Sequence, residues 1–229
     1  MKHAGKARRA AFKLILVALV IPVIIGILWM MAVISAVVLP VVFTIAIVFW
    51  VLFTIFTLYF FRDPEARTPT TVGSVVSPGH GKVDVIDEMD EPVFMKGRCR
   101  RISIFLSVIN IHVQNAPISG KVMYVKETEG KFLSALKAAE CCQHNENVYI
   151  GFNSTENEGE KLGLKLMAGL IARRIVPFVQ PGDEVSRGER ISLIQFGSRC
   201  DIYIPLNYKI QVKLSDKVIG GETVLASRS

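Results

Sequence analysis

The feature that most constrains the fold of this chain is an uncharged, apolar run near its N-terminus. From Leu14 to Phe61, 48 successive residues include no Asp, Glu, Lys or Arg. As one helix this run would be about 72 Å long, against a membrane hydrocarbon core of roughly 30 Å. We therefore expect two transmembrane helices over residues 14–61. The chain would reverse around Ser35–Val41, where Pro40 interrupts helical hydrogen bonding. A cleaved signal peptide would have a much shorter apolar core.

The segment that precedes the apolar run predicts its orientation. Residues 1–13 contain no acidic residue, so the positive-inside rule makes them a basic cytoplasmic segment. Two crossings would return the chain to the cytoplasmic face of the cell membrane. The same segment supplies most of the net charge of +7, and the rest of the chain has no basic stripe interleaved with aromatic residues, so we expect no nucleic-acid partner. Its cations are Lys2, Lys6, Arg8, Arg9 and Lys13.

Residues 62–229 are enough for one compact domain with its own core. Short apolar stretches bounded by Gly, Pro, Asn or Asp, such as residues 101–106, 148–150 and 202–204, predict mostly β structure. Phe132–Cys142 is the best candidate for a short helix. The four cysteines lack the spacing of a metal site, and a cytoplasmic location disfavours disulfides, so we expect free thiols and no metal. They are Cys99, Cys141, Cys142 and Cys200.

Two internal similarities sharpen the predicted fold. Residues 77–83 resemble residues 116–122, and residues 182–189 resemble residues 215–222. Each pair puts turn residues at matching offsets from a strand. The second pattern is similar to the hairpins of lipoyl- and biotinyl-type domains, which predicts a pseudo-symmetric β-sandwich or hybrid barrel. The alternative is that β domains in general reuse Gly and Asp at their turns. A carrier function is not indicated, because no lysine lies in a Met-Lys-Met hairpin tip.

A candidate reactive stretch near the C-terminus is Phe196-Gly197-Ser198-Arg199. Its Gly-Ser pair is not distinctive by itself, because a second pair occurs at Gly73-Ser74, so the surrounding residues must support the assignment. Together with five other stretches in the same order, it resembles the phosphatidylserine decarboxylase family in its short bacterial form. The matching stretches are residues 60–65, 77–83, 104–117, 145–146, 168–175 and 196–201.

The resemblance implies a proenzyme that cleaves itself between Gly197 and Ser198, giving a large chain of residues 1–197 and a small chain of residues 198–229. Ser198 Oγ would attack the Gly197 carbonyl to form an ester. β-Elimination and hydrolysis would then leave a pyruvoyl group in place of Ser198. Glycine suits this position because it has no Cβ to obstruct the attack. The pyruvoyl group would form a Schiff base with the substrate amine and accept the electrons released with carbon dioxide, converting phosphatidylserine to phosphatidylethanolamine.

Two histidines are candidate catalytic residues by the same resemblance. His112 matches the family's histidine and would be the general acid of the decarboxylation, since an ordinary imidazole pKa of about 6.5 permits proton exchange near neutrality. From spacing alone, a histidine between apolar neighbours is as readily a hydrogen-bonded structural residue. His80 and Asn110 both stand where the family usually has Asp. We therefore hypothesise that His80 is a base or polar partner in self-cleavage.

Arg173 and Arg174 are candidate substrate-binding residues, because a guanidinium group pairs well with a phosphate or a carboxylate. A structural ion pair is the alternative. The expected partners are the phospholipid substrate, the membrane and the two chains cut from one precursor, and a homo-oligomer is left open. Two other functions are also left open: a non-catalytic lipid-binding or scaffold protein of the same fold, and a pyruvoyl decarboxylase of another serine-headed lipid. No exogenous cofactor is implied.

Overall fold

The structure, a computed structural model, describes residues 6–134, 144–157, 159–170, 174–195 and 198–228. The chain divides into two compact units, Met1–Leu58 and Tyr59–Ser229. The second unit contains every strand and every candidate site residue that the structure describes.

One long helix, α1 (Lys6–Phe60, 55 residues), contains the apolar run. The predicted two-helix hairpin was wrong in this respect, because α1 continues through Ser35–Val41 with both Pro22 and Pro40 inside it. A proline removes one hydrogen bond and kinks a helix, but the flanking Ile, Leu, Val and Ala residues retain the other bonds. From Ile15 to Phe60 the helix is long and apolar enough to cross a membrane. From Ile15 onward its large apolar side chains are almost all exposed.

The second unit is built from antiparallel strands, which confirms the prediction of a mostly β fold. The largest sheet has eight strands in the order β13-β2-β3-β11-β7-β6-β5-β9, and two three-stranded sheets have the orders β1-β14-β12 and β4-β10-β8. In chain order the strands are β1 (Ser74–Val76), β2 (Gly81–Glu91), β3 (Gly97–Leu106), β4 (Val113–Asn115), β5 (Gly120–Thr128), β6 (Asn147–Ser154), β7 (Lys161–Ala168), β8 (Arg174–Pro177), β9 (Glu184–Val185), β10 (Arg190–Gln195), β11 (Ser198–Ile204), β12 (Tyr208–Ile210), β13 (Lys217–Val218) and β14 (Val224–Arg228).

The eight-stranded sheet is pseudo-symmetric about the line between β11 and β7. On one side β2 pairs with β13, and at the matching place on the other side β5 pairs with β9. The segments that precede β2 and β5 also exchange equivalent bonds: Asn115 N donates to Pro78 O at 2.8 Å, and Val76 N donates to Pro117 O at 2.9 Å. The internal similarities predicted from the sequence are thus confirmed as two equivalent halves of one fold.

A glycine opens the equivalent strand in each half because another backbone approaches it closely. A Cβ at Gly81 would lie 2.3 Å from Phe105 O, and a Cβ at Gly120 would lie 2.3 Å from Asn153 O. No larger residue fits either position without moving the neighbouring strand. The register of each strand shifts shortly after its glycine, between Val83 and Val85 in β2 and between Val122 and Tyr124 in β5.

The core lies inside the curled sheet, and every residue of β11 is buried. Apolar side chains of β3, β6 and β7 surround it, among them Ile104, Phe152 and Leu164. Cys99 and Cys200 are buried free thiols, as predicted, and burial raises the pKa of Cys99 to about 11. Cys141 and Cys142 lie outside the described residues, as does the predicted short helix from residue 135 onward.

Candidate active site

Ser198 is the first residue of β11, in the middle of the large sheet. It pairs with Leu106 of β3 on one side and Ala168 of β7 on the other. The side chain is fully buried, and its Oγ has no hydrogen-bond partner among the described residues. A buried hydroxyl without a partner costs roughly 1–3 kcal/mol, so this position calls for an explanation. Gly197 lies outside the described residues.

His112 lies in the loop between β3 and β4, and its ring orientation is fixed by a backbone contact. Its Nδ1 is 2.9 Å from the carbonyl oxygen of Asn110. A carbonyl oxygen only accepts, so Nδ1 carries the hydrogen and Nε2 presents the lone pair. The carbonyl oxygen of His112 accepts from Ile194 N at 3.0 Å. Because Ile194 lies in β10, His112 is tied to the strand that leads to Ser198.

Asn110 shapes the loop that carries His112. Its Oδ1 accepts hydrogen bonds from Ser107 N at 2.9 Å and from Ser107 Oγ at 2.7 Å. In return, Asn110 N donates to Ser107 O at 2.9 Å. Both side-chain bonds use one oxygen, which Asn supplies as well as Asp. The departure from the family pattern at this position therefore leaves the loop geometry intact.

The end of α1 covers the ring of His112. The rings of Phe60 and His112 are stacked, with centroids 4.5 Å apart and an interplanar angle of 28°. Arg62 then donates from its guanidinium to Ile109 O at 2.8 Å, which holds the same loop from the outside. Burial is the main cause that lowers the pKa of His112 to about 4; the hydrogen bond to Asn110 opposes it, and charges on Arg62 and His80 add to it. His112 is therefore neutral near pH 7, so its resting state is a base.

His80 lies in the turn that leads into β2, close enough to His112 for its charge to lower the pKa of the His112 imidazole. Burial is also the main cause that lowers the pKa of His80, while Glu222 acts in the opposite direction and Arg62 in the same direction. The ring is packed tightly, because a Cβ at Gly220 would lie 3.0 Å from His80 Cδ2. The two imidazoles are far apart in sequence, yet in the structure the charge of one affects the pKa of the other.

The two candidate arginines are only partly described. Arg174 is exposed at the start of β8 and pairs in register with Gln195 of β10, two residues before Gly197. Arg173 lies outside the described residues.

Two buried polar residues beside Ser198 lie in the matching stretches but were given no role from the sequence. Arg199 is fully buried and makes a two-pronged ion pair with Asp84, with Nη1 at 2.7 Å from Oδ1 and Nη2 in contact with Oδ2. Asn145 Nδ2 donates to Ala168 O at 2.6 Å and so fastens the end of β7, opposite Ser198. The signal that would have found Arg199 is a pair of charged residues, Arg199 and Asp201, at the start of a stretch that ends in Ile202–Ile204.

A cavity of about 450 Å³ lies beside this site. The residues that line it include His80, Ser107, Asn110, Lys82 and Lys217. Its volume is within the range of small-molecule binding sites.

Comparison with known proteins identifies the family. The family model for phosphatidylserine decarboxylase matches residues 53–226. The phosphatidylserine decarboxylase proenzyme of Desulfotalea psychrophila is 46% identical over 176 residues, which cover 77% of this chain and 81% of that protein. The proenzyme of Citrifermentans bemidjiense is 44% identical over 183 residues, covering 80% and 81%. That of Symbiobacterium thermophilum is 39% identical over 171 residues, covering 75% and 78%.

These matches confirm the resemblance read from the motifs. The chain belongs to the phosphatidylserine decarboxylase family, and it is therefore a member of a family of decarboxylating enzymes.

Proposed function

We propose that this protein is a self-cleaving proenzyme that decarboxylates phosphatidylserine to phosphatidylethanolamine. Family membership supports the overall reaction. The main support is the state of Ser198. This residue follows Gly197 directly, and its buried hydroxyl has no hydrogen-bond partner among the described residues. Two other buried strand serines, Ser103 and Ser192, also lack a partner among the described residues, so it is the position directly after Gly197 that distinguishes Ser198 as the nucleophile.

Self-cleavage would proceed in three balanced steps. Ser198 Oγ forms a bond to the carbonyl carbon of Gly197, the peptide C–N bond breaks, and the serine proton ends on the new amino group. Loss of the Cα proton of residue 198 then breaks the Cβ–O bond and releases the Gly197 carboxylate. Water finally replaces the nitrogen at Cα, and ammonia leaves. The pyruvoyl group produced in this way supplies a conjugated carbonyl that accepts electrons from a bound amino acid head group.

The two histidines have separate roles in this proposal. His80, which is neutral near pH 7, takes the proton from Ser198 Oγ during self-cleavage. His112 exchanges the proton that replaces carbon dioxide on the α-carbon of the substrate. Because His112 is neutral in its resting state, it first takes this proton from the substrate ammonium, which must lose a proton to react as an amine, and then delivers it to the α-carbon. Arg174, whose register partner Gln195 lies two residues before Gly197, would pair with a carboxylate or phosphate of the substrate.

Mass spectrometry of the purified protein tests the proposal. We expect a large chain that ends at Gly197 and a small chain of residues 198–229, lighter by one ammonia than a peptide that begins with serine. The variant Ser198→Ala should remain a single chain of 25.4 kDa. Active wild-type protein that is uncut, with an ordinary serine at position 198, would contradict the proposal.

We also propose that the two chains stay together after cleavage. β11 would belong to the small chain, yet it is hydrogen-bonded on both sides to β3 and β7 of the large chain. β13 and β14 likewise pair with β2 and β1. Cleavage should therefore leave the fold intact, and both chains should co-purify until a denaturant separates them.

A further inference from the structure

Two lysines face each other across neighbouring strands at the cavity beside His80. Lys82 of β2 and Lys217 of β13 are directly paired in register, and both are exposed. Directly opposed residues of an antiparallel pair project on the same side of the sheet, with their Cβ atoms only about 4.5–5.5 Å apart. Like charges in this arrangement destabilise the pairing. The position therefore carries an electrostatic cost that folding alone does not explain.

The other half of the fold provides an internal reference. At the equivalent place, Lys121 of β5 is paired with Glu184 of β9, a combination of opposite charges. The backbone geometry is the same in both halves: Val83 N donates to Asp216 O at 2.9 Å, and Val122 N donates to Asp183 O at 2.8 Å. An acidic residue thus fits this strand position, and only the half with the candidate active site has a second lysine there.

The surroundings of the lysine pair define what it could bind. Among the described residues that line the cavity, none is acidic, while Ser107 and Asn110 add polar groups. Ile109 and Ile219 line the same cavity and are 61% and 47% exposed. A cationic pocket bordered by exposed apolar side chains matches an anionic phospholipid, whose charged head group adjoins an apolar body.

We propose that Lys82 and Lys217 bind the phosphodiester of the substrate's head group, while Ile109 and Ile219 contact its apolar portion. This inference rests on the proposed function, since the lysine pair serves the same site. A bound phosphodiester would place a negative charge between two ammonium groups and turn their repulsion into attraction. Lysine suits this role as a compact point charge with a flexible stem.

Kinetics of the full-length protein in detergent micelles test the inference. The double variant Lys82→Gln/Lys217→Gln should cleave itself like the wild type, yet its KM for phosphatidylserine should rise at least five-fold with kcat within two-fold. The matched control is Lys121→Gln, the equivalent lysine of the other half, which should leave KM unchanged. Lys217→Glu recreates the charge pair of the other half, so it should raise KM without lowering the unfolding temperature. An unchanged KM in the double variant, or an equal rise in Lys121→Gln, overturns the inference.

A binding measurement separates this inference from the proposed function. Calorimetric titration of the Ser198→Ala protein with glycerophosphoserine needs no turnover, and we expect the double substitution to weaken binding at least five-fold. Inorganic phosphate should bind more weakly than glycerophosphoserine; equal binding would show a site for free phosphate and overturn the assignment. If the wild type stays uncut while glycerophosphoserine binding depends on both lysines, the proposed function fails and the binding site stands.

Discussion

At the scale of single residues, the burial of His112 couples protonation to folding. Its pKa is lowered to about 4 in the folded protein, from an ordinary value of 6.5. The unfolded chain therefore binds a proton more tightly between these values, and protonation favours unfolding. The contribution of His112 to stability is complete above pH 6.5, falls as the pH decreases toward 4, and amounts to about 3 kcal/mol in total.

We predict that the unfolding temperature of the Ser198→Ala protein decreases between pH 6.5 and 4, and that His112→Gln in the same background reduces this decrease. Glutamine can still donate to the Asn110 carbonyl but does not titrate. Thermal unfolding followed by circular dichroism at several pH values measures the difference. If both proteins show the same pH dependence, the imidazole is not the group responsible.

A second prediction concerns His80. His80→Ala should accumulate intact precursor, with a rate of self-cleavage at least ten-fold lower, because the proton acceptor for Ser198 Oγ is lost. His80→Asp restores the residue usual in the family and should cleave. The control is His144→Ala, since His144 is exposed and contributes nothing to the proposed site. Wild-type cleavage in His80→Ala, followed on a denaturing gel, would exclude the proposed role.

The sequence was enough to select Ser198, His112 and His80, because their motifs are local stretches of chain. It did not predict the Arg199–Asp84 ion pair, since that contact depends on which strands become neighbours. Nor did it predict the stacking of Phe60 on His112, which joins residues separated by a whole hairpin. Contacts of this kind depend on tertiary packing, so the spacing of residues along the sequence does not predict them.

At the scale of elements, the glycines that open β2 and β5 provide a matched pair for mutation. Gly81→Ala and Gly120→Ala should each destabilise the fold by at least about 2 kcal/mol, because the new Cβ collides with a carbonyl oxygen of the adjacent strand. Gly97→Ala is the control, since the atom nearest to its Cβ would be Met95 O at 4.0 Å. Chemical denaturation measures all three. Stability equal to the control would contradict the close approach of the strands.

Only Gly81 adjoins a candidate catalytic residue, so the two variants should differ in a second respect. We expect Gly81→Ala also to slow self-cleavage by displacing His80, and Gly120→Ala to leave the cleavage rate of the folded protein unchanged.

The strands and their internal similarity were predictable because Gly, Pro and Asp mark turns wherever they occur. The continuity of α1 was not predictable from Pro40 alone, because a proline signals a local interruption while the flanking residues decide whether the helix resumes.

At the scale of the whole molecule, we propose that the catalytic unit faces the cytoplasm. The support is the buried free thiols of Cys99 and Cys200, which are typical of a reducing compartment. A green fluorescent protein fused after Ser229 should fluoresce in bacterial cells, whereas alkaline phosphatase fused there should be inactive. The opposite pattern would place the catalytic unit outside the cytoplasm.

The stacking of Phe60 on His112 determines where a truncated form of this protein should begin. A version that starts at Arg62 would lack the aromatic lid and leave the imidazole open to water. A version that starts at Tyr59 would keep the Phe60 ring over His112 and remove nearly all of the apolar helix. The shorter product would look intact on a gel, yet loss of burial would raise the pKa of His112 back toward its ordinary value, and its chemistry would no longer represent the native protein.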